Sequence, residues 1–322
     1  MNNALLLQST ATLAAAVVLD MALGEPRRFH PLVGFGRCAQ AVERRANRGG
    51  QGARIWLGAM ALLIVTAPPV GAVVALRHAP LHFTVALAAE AVVLYFALGL
   101  QSLGRHARDV TAALNAGDLA RARNAVARMV SRDAGVLDEP GVAAAATESV
   151  LENGNDAVFG VVFWYLVLGL PGALAYRLVN TLDAMWGYRN ARFCRFGRCA
   201  ARIDDAVNFF PARVTAFFYA LGGDFFCALR CWRAQGSQWK SGNAGAVMSA
   251  GAGALRVRLG GAAVYQSKPQ PRPTLGAGAP AAAADIARAI NLVWRGLVFW
   301  LLLAAAVEWG LAIGSDSAGF HD

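Results

Sequence analysis

Four apolar stretches of this chain are each long enough to cross the hydrocarbon core of a membrane, which takes about 20 residues of helix. They cover residues 4–23, 55–76, 81–104 and 289–314. The composition agrees, because 57% of the residues are hydrophobic, 16% are charged and the mean hydropathy is +0.42, values far from those of a soluble domain. The sequence therefore predicts an all-α, polytopic integral membrane protein with about four crossings, forming a single membrane-embedded domain over residues 1–322.

Basic residues indicate how the chain is oriented, because short cytoplasmic loops collect Lys and Arg. Arginines are concentrated between the first two stretches, at Arg27, Arg28, Arg37, Arg44, Arg45, Arg48 and Arg54. The segment after the third stretch is also rich in arginine, whereas residues 1–7 and 314–322 contain no basic residue other than a histidine. We therefore expect both termini to face outward and residues 104–292 to lie mainly on the cytoplasmic side, where they carry the site.

Residues 157–176 form a further apolar stretch, which carries no charge. Six arginines follow it between Arg177 and Arg202, so a simple crossing would place all of them outside, against the positive-inside rule. Gly169, Pro171 and Gly172 also interrupt the stretch, and irregular backbone at membrane depth is tolerated only inside protein or beside a cavity. We expect this segment to be re-entrant or buried in protein. The alternative is a chain of six crossings, with 205–228 as the extra return.

Two segments outside the apolar stretches have patterns of their own. Residues 117–133 place apolar side chains on one helical face behind Asp118, a plausible N-cap, which predicts an amphipathic cytoplasmic helix. Residues 266–274 contain three prolines, which exclude a helix or a central strand, and we expect a loop there.

Small residues dominate residues 236–283. Gly245, Ser249 and Gly253 lie four residues apart within this segment, a spacing that lets one helix pack closely against another. The segment is therefore either such a helix or a low-complexity linker.

Carboxylates and carboxamides flank the 157–176 stretch on both sides. Glu148, Glu152 and Asp156 recur every fourth residue, so on a helix they would form one acidic stripe. Beyond the stretch, Asp204 and Asn208 would share a helical face. The other polar residues of this region are Asn153, Asn180, Asp183, Tyr188, Arg189, Arg202, Asp205 and Arg213. Acids beside apolar surface are typical of sites for ions, protons or substrates; the alternative is a set of ion pairs and hydrogen bonds that fix helix register.

Several single residues invite a functional interpretation. Glu90 lies inside the third stretch and is a functional-site candidate, unless it pairs with Arg295 or with the helix of Glu308. His30 could bind substrate, carry a proton or cap a helix. The five cysteines, Cys38, Cys194, Cys199, Cys227 and Cys231, lack zinc-site spacing, and we expect free thiols. A formal net charge of +10 would suit nucleic acid, but the membrane stretches argue against that partner.

Four long blocks follow one another along the chain: Asp20–Arg37 (DMALGEPRRFHPLVGFGR), Glu148–Asp156 (ESVLENGND), Val179–Arg189 (VNTLDAMWGYR) and Gly197–Arg213 (GRCAARIDDAVNFFPAR). Together with RMVSRD at 128–133 and GALRVRLGG at 253–261, they resemble the CobD/CbiB family of cobalamin-biosynthesis membrane proteins, the adenosylcobinamide-phosphate synthases. The resemblance runs almost from end to end.

The resemblance implies a carbon–nitrogen ligase at a bacterial inner membrane, with periplasmic termini and a site facing the cytoplasm. Adenosylcobyric acid, a corrinoid substrate, would be joined to (R)-1-aminopropan-2-ol or its O-phosphate at the expense of ATP, giving adenosylcobinamide or its phosphate. ATP and Mg²⁺ are the implied cofactors. The implied partners are these substrates, the membrane and other cobalamin-assembly enzymes, without nucleic acid.

The resemblance also assigns roles to residues of this chain. The implied catalytic residues are Glu148, Glu152, Asn153, Asp156 and Asp183. The implied substrate-binding or nucleotide-binding residues are His30, Asn180, Tyr188, Arg189, Arg202, Arg213 and Asn243. The implied metal ligands are Asp204, Asp205 and Asn208.

Two of the departures from the family pattern affect candidate site residues. The family's ENTVDG reads here Glu152, Asn153, Gly154, Asn155, Asp156, Ala157, so a hydroxyl group is lost. Its HPSPN is reduced to Lys240, Ser241, Gly242, Asn243, which removes a histidine. Because the acidic residues are kept, we interpret these changes as those of a subfamily.

Three other classes of protein remain as alternatives. A transporter would use Glu90 and the acidic stripe as a path for protons or cations, but no inverted repeat is visible. A CDP-alcohol-type transferase would use clustered aspartates for metal, but its Asp-Gly and four-residue aspartate series are missing. A non-catalytic scaffold of a cobalamin-assembly complex is also possible, since the chain has no GxxxxGK[ST] loop.

Overall fold

The computed structural model describes residues 3–26, 29–265 and 268–318, and this part of the chain is predominantly helical. The helices are α1 Asn3–Leu23, α2 Pro31–Ala46, α3 Gln51–His78, α4 Phe83–Ala97, α5 Leu100–Asn115, α6 Leu119–Val126, α7 Glu139–Gly154, α8 Gly160–Trp186, α9 Arg198–Val207, α10 Phe209–Gly222, α11 Phe225–Gln235, α12 Gly242–Leu255 and α13 Ala283–Ala318. The strands are β1 Val257–Gly260, β2 Ala263–Tyr265, β3 Lys268–Gln270, β4 Thr274–Gly276 and β5 Ala279–Pro280.

The described residues divide into two compact units. The first is drawn from Met1–Gly99, Gly160–Asn208 and Trp300–Asp322, and the second from Leu100–Phe159 and Phe209–Phe299. The single membrane-embedded domain, and the cytoplasmic placement of residues 104–292, stay predictions.

Membrane-length helices confirm the predicted fold class. Within the described residues, four helices are long and apolar enough to cross a bilayer: Gly52–His78, Phe83–Asn115, Glu139–Trp186 and Ala283–Gly310. One of them contains the predicted stretch 55–76, and two others contain most of the stretches 81–104 and 289–314. Residues 4–23 lie in helix α1, of which the segment Ser9–Leu23 is apolar but shorter. The fourth long helix is instead the one that contains the 157–176 stretch.

The Glu139–Trp186 helix is irregular at two places. A π-helical turn over Asn155–Phe159 separates α7 from α8. Within α8, Gly169 has φ 67° and ψ −161° and bends the helix just before Pro171, because a glycine tolerates a positive φ and a proline cannot donate its backbone hydrogen bond. The interruption expected from Gly169 and Pro171 is therefore confirmed. More than half of the most apolar part of this helix is buried in the protein, whereas a re-entrant path stays a prediction.

Replacing Gly169 with Ala is expected to lower the free energy of unfolding by about 1–2 kcal/mol, because a side chain at positive φ is strained. A Cβ there would also lie 2.5 Å from Nη1 of Arg77. Thermal unfolding in detergent measures the change. Gly71→Ala is the matched control, since it lies inside α3 with open space around its Cβ position, and it should be neutral or stabilising. Equal midpoints for the two variants would contradict this account of the bend.

The predicted amphipathic helix over 117–133 is shorter than expected. Asp118 does cap it, since its carboxylate accepts a hydrogen bond from the backbone N–H of Arg121 (2.9 Å), but α6 ends at Val126. The backbone beyond it finds other partners: the carbonyl of Met129 accepts from the Ser149 hydroxyl (2.9 Å), and the N–H of Asp133 donates to the carbonyl of Val264 (2.9 Å). These tertiary hydrogen bonds replace those that a longer helix would have made.

The loop predicted over 266–274 is wrong for Lys268–Gln270 and Thr274, which belong to β3 and β4, whereas residues 271–273 have no regular secondary structure. Residues 266 and 267 lie outside the described residues, but β3 pairs antiparallel with β2, and β4 pairs antiparallel with β1. Pro269 is tolerated in β3 because β3 is an edge strand, where the N–H group that proline lacks can face away from the partner strand. The second small sheet has the order β4-β1-β5, with β5 parallel to β1.

The small-residue segment forms helix α12 rather than a linker. A Cβ on Gly245 would overlap the carbonyl oxygen of Gly236, and one on Gly253 would lie 2.7 Å from the Cα of Ala228. The close packing predicted from Gly245, Ser249 and Gly253 is therefore confirmed. All five cysteines are free thiols, as expected.

Candidate functional site

An acidic cluster forms in the first unit, where α8 and α9 lie side by side. We define it as Asn180, Asp183, Asp204, Asp205 and Asn208. The amide of Asn208 donates to both carboxylate oxygens of Asp204 (3.2 Å each), and the amide of Asn180 donates to Asp204 Oδ1 (3.2 Å). The shared face predicted for Asp204 and Asn208 is confirmed, and the structure joins them to Asn180 on α8.

Tight packing at the end of α8 holds the two helices together. A Cβ on Gly197 would overlap the carbonyl of Trp186, so only glycine lets α9 begin so close to α8. Trp186 and Phe196 then share a core with Leu182 and Ala200. Tyr176 and Trp164 fix the far end of α9. The hydroxyl of Tyr176 donates to Asn208 Oδ1 (2.8 Å), and Nε1 of Trp164 donates to the carbonyl of Val207 (3.0 Å).

Like charges crowd the acidic cluster. Burial, followed by repulsion from the neighbouring carboxylates of Asp183 and Asp205, raises the pKa of Asp204 to about 7, although the hydrogen bonds from Asn180 and Asn208 oppose this shift. A cation placed among these groups would relieve the repulsion.

The donor chemistry of the acidic cluster fits Mg²⁺, which prefers carboxylate and amide oxygens. Asp183, Asp204 and Asp205 would provide the charge, and Asn208 an amide oxygen. No group of three or more His, Cys, Asp or Glu side chains in the described part of the chain is already arranged around one metal position. Magnesium commonly keeps several water ligands and takes one or two carboxylates, so the predicted ligands Asp204, Asp205 and Asn208 stay a prediction.

Glu148, in the second unit, is the centre of a different, buried group. Its carboxylate accepts from Nη2 of Arg132 (2.5 Å), from Nη1 and Nη2 of Arg272 (3.2 and 3.3 Å) and from the N–H of Gly260 (2.8 Å). Only 5% of its side chain is exposed. Glu148 thereby joins α7 to the strands, and these contacts support the structural alternative for this residue.

The acidic stripe predicted from Glu148, Glu152 and Asp156 does not continue along one regular helix. Asp156 lies in the π-helical turn, whose wider hydrogen-bonded rings depart from α-helical spacing. Its carboxylate accepts from the amide of Asn155 (2.8 Å), whose own carbonyl oxygen accepts from the hydroxyl of Thr215 (2.9 Å). The two ends of the stripe therefore have different partners.

The remaining predicted residues of the second unit have local partners. Glu152 is half-buried on α7, and the amide of Asn153 donates back to the carbonyl and hydroxyl oxygens of Ser149 (2.9 and 3.1 Å). Arg213 and Asn243, thirty residues apart, are brought together by a hydrogen bond of 2.5 Å. The Arg213 guanidinium also lies 3.7 Å from the ring centroid of Phe209.

Other predicted binding residues lie outside the acidic cluster. Tyr188 and Arg189 are exposed between α8 and α9, and Arg202 is exposed on α9. His30 caps α2, because its Nδ1 accepts from the N–H of Leu32 (3.2 Å). Of the interpretations open for His30, the structure supports the helix cap.

Glu90 pairs with neither of the partners expected from the sequence. It lies 3.5 Å from Nε of Arg77 and accepts a hydrogen bond from the Tyr165 hydroxyl (3.4 Å). Arg295 donates instead to the carbonyl of Gly222 (2.7 Å), and Glu308 accepts from the N–H of Thr10 (2.9 Å). An ion pair between neighbouring apolar helices explains the charge of Glu90 without a transport path.

Comparison with known proteins identifies the family of this chain. The model of the CobD/Cbib protein family matches residues 13–293, which contain the acidic cluster and the Glu148 group. The chain belongs to the CobD/Cbib family.

Relatives within the CobD/Cbib family include bacterial and archaeal proteins. The cobalamin biosynthesis protein CobD of Stutzerimonas stutzeri is 53% identical over 91% of this chain and 96% of its own length. That of Chromobacterium violaceum is 51% identical over 94% of this chain and 98% of its own. The probable cobalamin biosynthesis protein CobD of Pyrococcus furiosus is 37% identical over 93% and 99%. No solved structure matches the chain.

Lowering the pH is expected to destabilise this CobD/Cbib protein partly through His30. Burial lowers the pKa of His30 and nearby Arg177 lowers it further, while Glu25 raises it. A histidine with a lowered folded-state pKa binds a proton more readily in the unfolded protein than in the folded one. The free energy of unfolding is therefore unaffected by this group above pH 6.5 and decreases as the pH falls below that value. In His30→Asn, which keeps a capping oxygen, the thermal midpoint should fall less between pH 7 and pH 5. Parallel pH profiles for the two proteins would contradict this.

Proposed function

We propose that this protein acts in cobalamin biosynthesis as an ATP-dependent ligase. In the proposed reaction an amide bond joins adenosylcobyric acid to (R)-1-aminopropan-2-ol or its O-phosphate, giving adenosylcobinamide or its phosphate. Membership of the CobD/Cbib family supports the pathway. The observation that carries the ligase proposal is the acidic cluster, in which Asp183 on a membrane-length helix lies close enough to Asp204 on α9 for the two carboxylates to repel each other.

The chemistry of amide formation sets what the site must supply. A carboxylate is a poor electrophile, so ATP must first convert the corrinoid carboxylate into an acyl phosphate or an acyl adenylate. The nucleotide brings several negative charges, which a magnesium ion held by Asp204, Asp205 and Asn208 would neutralise. The chain has no GxxxxGK[ST] loop, so its nucleotide would be bound differently from that of a P-loop protein.

The residues around the acidic cluster suit an ordering role in this reaction. Asn180 and Asn208 hold the Asp204 carboxylate in one orientation, and Tyr176 holds Asn208. A pre-oriented carboxylate loses little entropy when it takes up a cation.

Complementation in cells tests the pathway part of the proposal. A strain that lacks its own CobD/Cbib protein and needs cobalamin for growth should grow on adenosylcobyric acid when it carries this chain. Growth on cobinamide without this chain confirms that later steps are intact. A strain that makes the protein in its membrane, grows on cobinamide and still does not grow on adenosylcobyric acid would contradict the proposed step.

A further inference from the structure

A polar cavity of about 310 Å³ lies in the first unit, apart from every residue discussed as a site so far. It is found where the end of α2 and the beginning of α3 meet the segment between α8 and α9. We name it the basic pocket. The residues that line it are Glu43, Arg44, Asn47, Arg54 and Arg192.

Glu43 and Arg192 form one fixed wall of the basic pocket. Nε and Nη2 of Arg192 donate to the two carboxylate oxygens of Glu43 (3.0 and 2.6 Å), and the amide of Asn47 donates to the same carboxylate (2.7 Å). The Glu43 side chain is only 3% exposed. Burial raises the pKa of Glu43, but the hydrogen bonds from Arg192 and Asn47 outweigh it and lower the pKa overall. The carboxylate therefore stays ionised, and Arg192 neutralises it.

Arg44 and Arg54 remain as an excess of positive charge. Three arginines and one carboxylate leave the lining with a formal charge of +2. Within the described part of the chain the Arg44 guanidinium makes no hydrogen bond, and Arg54 uses its Nε to donate to the carbonyl of Gly49 (3.1 Å). Between Gly34 and Arg54 the only acidic residue is Glu43. Between Gly187 and Gly197 there is no acidic residue.

Two further features of the basic pocket suit a polar anion. Arg54 belongs to the first turn of α3, whose N-cap, Gly50, provides no side-chain hydrogen bond, and the N-terminus of a long helix carries a partial positive charge. Asn47 donates both to Glu43 and to the carbonyl of Arg192 (3.0 Å), which fixes the orientation of its amide.

We propose that the basic pocket binds the phosphate group of a phosphomonoester. A phosphomonoester carries a charge of about −1.5 to −2 at neutral pH, which matches the excess charge, whereas a phosphodiester carries one negative charge. Guanidinium groups bind phosphate oxygens through paired N–H donors. The volume suits a small polar group, since it is at the lower end of the range for ligand pockets, about 300–1,000 Å³. The proposal does not depend on the amide-forming reaction.

The phosphate could belong to a soluble molecule or to a lipid. Arg54 is close to the first residue of the membrane-length helix Gly52–His78, and Trp56 is 75% exposed, as is common for tryptophans at the membrane surface. A soluble phosphomonoester and the headgroup of phosphatidic acid share the chemistry that the basic pocket recognises.

Phosphate binding by the full chain, purified in detergent, tests the proposal. Inorganic phosphate at constant ionic strength should raise the thermal midpoint as its concentration passes the dissociation constant, because the stabilisation grows as RT ln(1 + [L]/Kd). Arg44→Gln and Arg54→Gln should each weaken the apparent affinity by about tenfold, because each removes one charged contact. Arg45→Gln is the matched control, because Arg45 is exposed, donates to the carbonyl of Ala41 and does not line the basic pocket. The apparent affinity of this variant for phosphate should change less than about twofold.

A second experiment distinguishes a soluble phosphomonoester from the phosphate of a lipid. Protein in nanodiscs of phosphatidylcholine alone is compared with protein in nanodiscs that also contain phosphatidic acid. A response to inorganic phosphate that is lost in Arg44→Gln and Arg54→Gln supports a soluble ligand. A response to phosphatidic acid alone, lost in the same variants, supports a lipid. No response in either experiment, or an equal response in Arg44→Gln, Arg54→Gln and Arg45→Gln, would overturn the proposal.

Discussion

Asp205→Asn is expected to reduce the rate of amide formation by at least about 100-fold while the protein still inserts and folds. The substitution keeps the size of the side chain and removes one negative charge from the acidic cluster, where Asp205 acts on both Asp183 and Asp204. If the cluster holds magnesium, the Asp205 carboxylate would help to bind the ion, and the ion would stabilise the negative charge of the transition state by several kcal/mol. The measurement is the initial rate of product formation, by mass spectrometry, at saturating ATP.

Asp109→Asn is the matched control for Asp205→Asn. Asp109 is also an aspartate on a helix, and its partner is Arg128 in an exposed ion pair of 2.8 Å, so its loss should change little. Raising the magnesium concentration should restore part of the rate in Asp205→Asn. Full activity without added magnesium would remove Asp205 from the mechanism.

Glu148→Gln is expected to cause a large loss of stability in the second unit. Glutamine keeps the shape of the side chain but leaves the buried guanidinium of Arg132 and the nearly buried one of Arg272 without their carboxylate. Breaking one partner of a buried ion pair typically costs about 3–5 kcal/mol. Thermal unfolding in detergent should therefore show a much lower midpoint, and less folded protein should be recovered.

Glu139→Gln, in the exposed first turn of α7, serves as the control for Glu148→Gln and should leave the midpoint nearly unchanged. The two roles of Glu148 predict different outcomes. A variant that unfolds early but retains activity at low temperature supports the structural role. A variant with the wild-type midpoint and no activity would instead support the catalytic role that the family resemblance implied.

The sequence was sufficient to predict three of the four membrane-length helices and the break at Gly169, because both depend on local composition and backbone chemistry. Hydropathy reports the length of an apolar helix, and a glycine next to a proline reports an irregular backbone. It was not sufficient for the end of α6, which is decided by hydrogen bonds to Ser149 and Val264. The same is true of β3 and β4, whose pairing depends on strands elsewhere in the chain.

The candidate site was predictable in part for a similar reason. Asp204 and Asn208 lie one turn apart on one helix, so their contact follows from spacing. The contact of Asp204 with Asn180 needs α8 and α9 to pack together, and that of Glu148 with Arg272 joins residues 124 positions apart. The π-helical turn that carries Asp156 has no spacing signal in one sequence. Arg132 and the basic pocket were missed, because isolated arginines are indistinguishable from those expected in cytoplasmic loops.

The most direct test of the ligase is a reaction with purified protein. The detergent-purified chain is incubated with adenosylcobyric acid, ATP, magnesium and aminopropanol, either free or phosphorylated, beside the Asp205→Asn variant. We expect a new species with the mass of adenosylcobinamide or its phosphate, which forms only with ATP and is absent with the variant. The donor that reacts identifies the amine substrate. No product with either donor from folded protein would contradict the ligase and favour a scaffold that works with a separate catalytic partner.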